Sequence, residues 1–141
     1  SSDLATRMAQ CEALSAIVDS LREDPEVETP VLMAGDFNSV PDSDEIRMLT
    51  GRRETAVPGL VFTDMWEVAG EGDGMTWRRD NPYIADSTWP NRRLDYLFVS
   101  WPRPRPIGNP TRIWLAGVEP VGGVQPSDHA AVVADIRMVA D

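Results

Sequence analysis

Apolar residues recur at steps of three and four positions in the first segment of the chain, as they do along one face of a helix. This spacing predicts a helix over residues 3 to 22, which ends before Pro25 because the residue preceding a proline avoids helical backbone angles. Cys11 lies in the middle of the stripe, and we expect it to be a core residue. The stripe consists of Leu4, Met8, Cys11, Leu14, Val18 and Leu21.

Four further segments are apolar or alternate between apolar and polar positions, a pattern typical of β-strands. A shorter strand is expected at residues 75–77, and a second helix at residues 44–50, with Ser43 as its N-cap and Gly51 after its end. Residues 52–62 are expected to be irregular and to lead into a helical turn. The four strands are predicted at residues 30–34, 93–99, 112–118 and 130–137. This order predicts an α/β chain with one sheet and helices on one face.

Charge and composition narrow the classes of function. The chain has 141 residues, the size of one domain, and a formal net charge of −10. Proteins that grip duplex nucleic acid usually carry a basic surface, so this charge favours a small or lipid-derived phosphorylated substrate. No apolar run approaches the ~20 residues needed to span a bilayer. Cys11 is the only cysteine, which excludes an internal disulfide and a cysteine-based metal site.

Asp36 and Asn38 follow a predicted buried strand and lie two residues apart. Strand alternation would direct both side chains to the same side at the end of the sheet. A carboxylate beside a carboxamide suits a hard cation, or the orientation of water and phosphate oxygens. The alternative is an Asx-turn that only terminates the strand.

Two more sets of polar residues could carry chemistry. Ser127, Asp128 and His129 precede the last strand, and His129 is the only histidine of the sequence. Its imidazole suits proton transfer near neutral pH. The alternative is an ordinary turn in which Ser127 and Asp128 cap backbone groups. Asp95 lies inside an otherwise apolar strand, where a buried carboxylate requires a partner. That partner is either Arg93 or a histidine ring whose orientation Asp95 would fix.

Together, four motifs occur in a fixed order: Gly-Asp-Phe-Asn at 35–38, Thr-Trp at 76–77, Arg-x-Asp-Tyr-x-Phe at 93–98, and Ser-Asp-His at 127–129. In this order and context they resemble the motifs of the endonuclease/exonuclease/phosphatase superfamily, over nearly the whole chain. The resemblance implies half of a four-layer α/β/β/α sandwich. It also implies a phosphoester hydrolase in which water attacks phosphorus in line, with Mg²⁺ or Mn²⁺ as cofactor.

Carried over by position, the resemblance implies catalytic roles for four residues. Asp36 would orient or deprotonate the attacking water, and Asn38 would hold that water or a phosphate oxygen. Asp95 would hydrogen-bond to His129, which would contact the scissile phosphate and transfer a proton or stabilise charge.

The resemblance also implies ligands for the metal and for the phosphate. Asp128, Asp36 and Asn38 would hold the divalent metal. Asn38 and His129 would bind the phosphate, and Arg92 is a further candidate because it lies close to Asp95 in sequence. For Arg92, the alternative is a solvated loop residue.

The motifs of the first half of the family fold, including a metal-binding Glu, have no counterpart in this sequence. We therefore expect residues 1–141 to be the C-terminal half of such a domain, with the N-terminal half absent and with weak or no activity alone. Such a half would expose an apolar sheet face, which predicts self-association, most simply as a two-fold dimer. The alternative is a non-catalytic interaction module that keeps relic site residues. The choice among nucleic acid, lipid and small phosphoester substrates stays open.

Overall fold

The computed structural model describes residues 2–22 and 29–139. Its helices are α1 (Ser2–Arg22), α2 (Asp44–Leu49) and α3 (Met65–Ala69). Its strands are β1 (Leu32–Asp36), β2 (Val61–Asp64), β3 (Asp95–Trp101), β4 (Pro110–Ala116) and β5 (Ala131–Ile136). The predicted mixed α/β class is confirmed. The predicted stop of α1 before Pro25 lies outside the described residues.

The strands form two antiparallel sheets, one of three strands in the order β1-β3-β2 and one that pairs β4 with β5. The prediction of a single sheet is therefore wrong. β3 lies at the centre of the first sheet, with β1 along one of its edges and β2 along the other. β4 and β5 pair with each other and cover a face of that sheet, because their apolar residues, among them Ile113, Val132 and Ile136, pack on the side of Val99 and Met65.

The central strand β3 buries both of its faces, against two different layers. Tyr96 and Phe98 belong to a core cluster with residues of α1 and α2, whereas Val99 packs with Met65 and Ile113 near the hairpin. The rings of Tyr96 and Phe98 stack with their centroids 5.1 Å apart. The result is three layers, with helices α1 and α2, the three-stranded sheet, and then the hairpin.

Helix α1 buries only the middle of its predicted stripe. Cys11 and Val18 are buried, which confirms Cys11 as a core residue, whereas Leu4 and Leu21 near the two ends are exposed. The sheet beneath the helix has only three strands, and its core cluster includes Cys11 and Val18 but neither Leu4 nor Leu21.

Several local predictions need correction. β2 begins at the end of the segment expected to be irregular and continues into the expected helical turn. Asp64 at the end of β2 caps α3 by accepting a hydrogen bond from the Trp66 N–H (3.0 Å). The predicted strand at 75–77 is reduced to one bridge between Trp77 and Arg92. Ser43 makes no side-chain cap for α2, because its hydroxyl donates instead to the Val40 carbonyl (2.6 Å).

One face of the three-stranded sheet is only partly covered by the hairpin. Leu32 on the edge strand β1 is 47% exposed, and it lies on the same face as Val99, with which it is paired. A cavity of about 200 Å³ opens beside it, lined mainly by apolar residues of both sheets, including Leu97 and Ile136. Throughout residues 2–22 and 29–139, no helix has the length and apolarity needed to cross a membrane.

Candidate active site

The candidate site begins where β1 ends and β3 starts. The antiparallel register places Asp36 directly opposite Asp95, so their side chains project from the same face of the sheet. Phe37 extends the ladder by donating its N–H to the Leu94 carbonyl (2.9 Å). Two carboxylates at facing positions repel each other, and a cationic or hydrogen-bonding group between them would relieve that repulsion.

His129 supplies that group. Its Nδ1 lies 2.7 Å from Asp95 Oδ2, and its Nε2 lies 3.9 Å from Asp36 Oδ2. Since the Asp95 carboxylate can only accept, Nδ1 carries the proton and donates it to Asp95. The imidazole is therefore oriented by one carboxylate while its Nε2 is turned toward the other.

Thr76 joins the segments that carry Asp95 and His129. Its side-chain Oγ1 accepts hydrogen bonds from the N–H groups of Leu94 (3.0 Å) and Asp95 (3.2 Å). Its carbonyl accepts from the N–H of Ala130 (2.7 Å), the residue after His129. Thr76 is almost fully buried. The sequence offers it only as part of the Thr-Trp motif, with no signal for this connecting role.

The surroundings of His129 favour its protonated form. Partial burial by itself would lower the pKa of His129, but the hydrogen bond to Asp95 and the charges of Asp95, Asp36 and Asp128 outweigh it. The net result is a pKa above the ordinary 6.5. A protonated imidazole can donate from Nε2, which suits a phosphate oxygen or a leaving group.

Asn38 follows β1 in a tight turn. Its φ is +49°, and its backbone N–H donates to Asp36 Oδ1 (2.8 Å), which is an Asx-turn. The next residue, Ser39, is fixed twice, since its hydroxyl donates to the buried Glu45 (2.5 Å) and its carbonyl accepts from the Tyr96 hydroxyl (2.7 Å). The Asx-turn considered at Asp36 is therefore present, and the same carboxylate also faces His129.

Not every predicted site residue belongs to the cluster around His129. Among the described residues, the group that could hold a metal ion is Asp36, Asp95 and His129, whose ligand atoms lie within 4.8 Å of one another. Asp128 is exposed and outside this group, with its carboxylate 3.4 Å from the Ser127 hydroxyl. Its role as a metal ligand stays a prediction.

The two neighbouring arginines have different partners. Arg93 is buried and pairs with Asp64 (2.7 Å), which leaves Asp95 to the histidine and decides between the two partners proposed for Asp95. Arg92 is not a freely solvated residue, because its guanidinium carbon lies over the rings of Trp77 and Trp89, 4.8 Å from each centroid. Its predicted contact with phosphate stays a prediction.

The hydrogen bond between Asp95 and His129 is present in the fold, and the register of β1 and β3 adds Asp36 to the cluster. The model of the endonuclease/exonuclease/phosphatase family matches residues 12–129. The chain belongs to this family. No curated protein sequence matches it significantly.

Two solved structures have a fold similar to that of this family member. Truncated TDP2 of Caenorhabditis elegans is 21% identical, with a TM-score of 0.64 and coverage of 92% of this chain and 47% of its own. TDP2 of D. rerio, complexed with a single-strand DNA product, is 25% identical, with a TM-score of 0.60 and coverage of 91% and 48%. The chain thus spans about half the length of the structures it matches.

Proposed function

We propose that this chain carries the C-terminal part of the active site of a metal-dependent phosphoester hydrolase. The observation that supports the proposal most directly is the cluster in which His129 lies between Asp95 and Asp36. Membership of the endonuclease/exonuclease/phosphatase family is consistent with this chemistry. A relic interaction module would have no use for a histidine oriented in this way.

Each residue of the cluster has a part in the proposed reaction. Asp95 holds the His129 ring, and the protonated Nε2 of His129 donates to a phosphate oxygen or to the leaving group. Asp36 accepts a proton from the attacking water or fixes its direction. The Asx-turn holds Asn38 beside Asp36, where its amide can bind that water or a phosphate oxygen.

The donor set suits a hard divalent cation, since carboxylate oxygens are the ligands that Mg²⁺ prefers. When bound, Mg²⁺ or Mn²⁺ would neutralise charge on the phosphoryl oxygens. Asp36 belongs both to the observed cluster and to the predicted ligand set, and we propose it as the principal ligand. Asn38 and Asp128 are the further ligands that this proposal includes.

The similar TDP2 structures are about twice as long as the chain. We propose that residues 1–141 form the C-terminal half of the domain and that the isolated chain has weak or no activity. One of these relatives is bound to a single-strand DNA product, which makes nucleic acid a candidate substrate beside lipid and small phosphoesters.

Hydrolysis of bis-p-nitrophenyl phosphate by the chain in Mg²⁺ or Mn²⁺, with EDTA as blank, tests the proposed activity. Metal-dependent turnover, where the chain shows it, should fall about 100-fold or more in His129→Ala, the loss typical of removing a general acid. Asp86→Asn, an exposed carboxylate outside the cluster, serves as the matched control.

Metal binding provides a second readout, which does not depend on turnover. Paramagnetic Mn²⁺ should broaden the ring signals of His129 in the wild type and much less in Asp36→Asn. If Mn²⁺ leaves these signals unchanged and His129→Ala hydrolyses as fast as the wild type, the proposed site is wrong.

A further inference from the structure

The outer edge of strand β4 lies open beside a cavity. β4 pairs with β5 along one edge only, and in an antiparallel ladder every second residue turns its N–H and C=O away from the partner strand. Within residues 2–22 and 29–139, no backbone group bonds to this outer edge between Arg112 and Leu115. A row of unpaired backbone groups at a sheet edge is a template for the addition of another strand.

The cavity runs along this edge and not over a face of the hairpin. Its volume is about 840 Å³, within the ~300–1,000 Å³ typical of binding pockets. Five consecutive residues of β4, 111–115, line it, whereas none of its described lining residues belongs to β5 or to the cluster around His129. Since the side chains of a strand alternate between its two faces, a cavity that touches all five residues lies beside the edge of the strand.

The inner side of the cavity is apolar. Trp66 and Ala69 of α3 line it together with Ile113 of β4, and all three pack in the same core cluster on the side of the three-stranded sheet. Trp66 is held in place, because its Nε1–H donates to the Gly72 carbonyl (3.0 Å). Side chains that an added strand directs to this side would therefore meet apolar surface in a fixed position.

The other face of β4 carries a cation beside the same edge. The guanidinium carbon of Arg112 is 4.2 Å from the ring centroid of Trp114. These two residues lie two positions apart and share a face, and Ile113 between them faces the core. Arg112 is exposed, and no carboxylate of the described chain forms an ion pair with it. Stacking on the indole holds this unpaired charge beside the free edge.

We propose that β4 binds an extended peptide segment of a partner protein, which adds to its outer edge as a third strand of the hairpin sheet. The backbone of the segment pairs with the free N–H and C=O groups of β4, as in other cases of strand addition. Its apolar side chains face Trp66 and Ile113, and an acidic residue between them lies beside Arg112, because opposite charges on neighbouring strands attract. Glu71 and Asp73 also line the cavity, so a single acidic residue fits better than a run of them. The inference does not depend on the proposed hydrolase activity.

Two capped pentapeptides test the inference on the whole chain, namely Thr-Val-Glu-Val-Thr and the same peptide with Lys in place of Glu. Binding is followed by NMR titration and by hydrogen exchange of the amides of residues 112–115, in about 0.15 M salt, where charges beyond ~8 Å are largely screened. The net charge of −10 then has little effect. We expect the Glu peptide to slow exchange at these amides and to bind about fivefold more tightly than the Lys peptide, as a charge pair between neighbouring strands implies.

Backbone pairing is tested with two N-methylated forms of the Glu peptide. One carries methyl groups on the amide nitrogens of both valines, and the other on those of the glutamate and the last threonine. An added strand turns only every second N–H toward β4, so we expect one form to lose binding and the other to retain it. Equal binding of the two forms would overturn strand addition.

The variants then locate the charge. In Arg112→Glu we expect the preference to reverse, so that the Lys peptide binds more tightly. Arg105→Glu is the matched control, because Arg105 is also exposed and stacked on a tryptophan (4.9 Å) but does not line the cavity. An unchanged preference in Arg112→Glu, or no binding of either peptide, would overturn the inference. Protection of the β4 amides in the free protein that grows with protein concentration would also overturn it and would assign the edge to a second copy of the chain.

Discussion

At the scale of single residues, the choice of partner decides the chemistry of the site. The sequence places Arg93 and Asp95 two positions apart and leaves open whether they pair. In the fold Arg93 bonds to Asp64, 29 residues away, and Asp95 bonds to His129, 34 residues away. The sequence shows that Asp95 needs a partner, because unpaired buried charges are costly. It does not show which partner, because only the fold brings the candidates together.

The titration of His129 is the prediction that belongs to this scale. In EDTA, we expect the pKa of His129 to lie above 6.5 and to fall in Asp95→Asn. Burial lowers this pKa, whereas the hydrogen bond to Asp95 and the charge of its carboxylate raise it, and the substitution removes that charge. The only histidine of the chain gives a single set of imidazole signals, so NMR titration measures this directly. An unchanged pKa in Asp95→Asn, or the same fall in the control Asp86→Asn, would contradict the assignment.

The same shift has a consequence for stability. Because the pKa of His129 is higher in the folded chain than in the unfolded chain, protonation of the ring stabilises the fold. This contribution is fully present below pH 6.5 and is lost as the pH rises through the folded pKa. Thermal unfolding of His129→Gln should therefore lack the part of the pH dependence that lies in this window.

At the scale of elements, β3 organises the molecule. It pairs with β1 and β2, packs on the helices with one face and on the hairpin side with the other, and starts at Asp95. Its pattern of aromatic and β-branched residues was sufficient to predict it. The periodicity of the sequence does not predict β2, because its four residues between a turn and α3 are too few to show a pattern, and its strand state depends on pairing with β3.

Truncation of the β3 core tests this central position. Phe98 is fully buried and contacts the rings of Phe37, Phe62 and Tyr96. We expect Phe98→Ala to lower the free energy of unfolding by about 3–5 kcal/mol, the usual cost of such a cavity. Urea denaturation measures the loss, with the 56% exposed Val68 changed to Ala as control. A loss as small as that of the control would show that β3 is not the core strand.

At the scale of the whole molecule, the partly covered sheet face is the main feature. Leu32 and the apolar cavity beside it present apolar surface to solvent, and such surface favours association. We expect the isolated chain to form a two-fold dimer at micromolar concentration, as measured by light scattering. Leu32→Glu should reduce the dimer, whereas Leu4→Glu, on α1, should not. A monomer in the wild type at that concentration would reject this prediction.

The sequence by itself determined the α/β class, helix α1, most strands and the family, because these depend on local periodicity and on motifs with fixed spacing. It also selected Asp36, Asp95 and His129. Only the tertiary structure decided that the strands form two sheets, that His129 lies between the two carboxylates, and that Arg92 contacts the rings of two tryptophans. The physical reason is that such contacts join residues far apart in the chain, and their geometry depends on which edges and faces the rest of the fold leaves free.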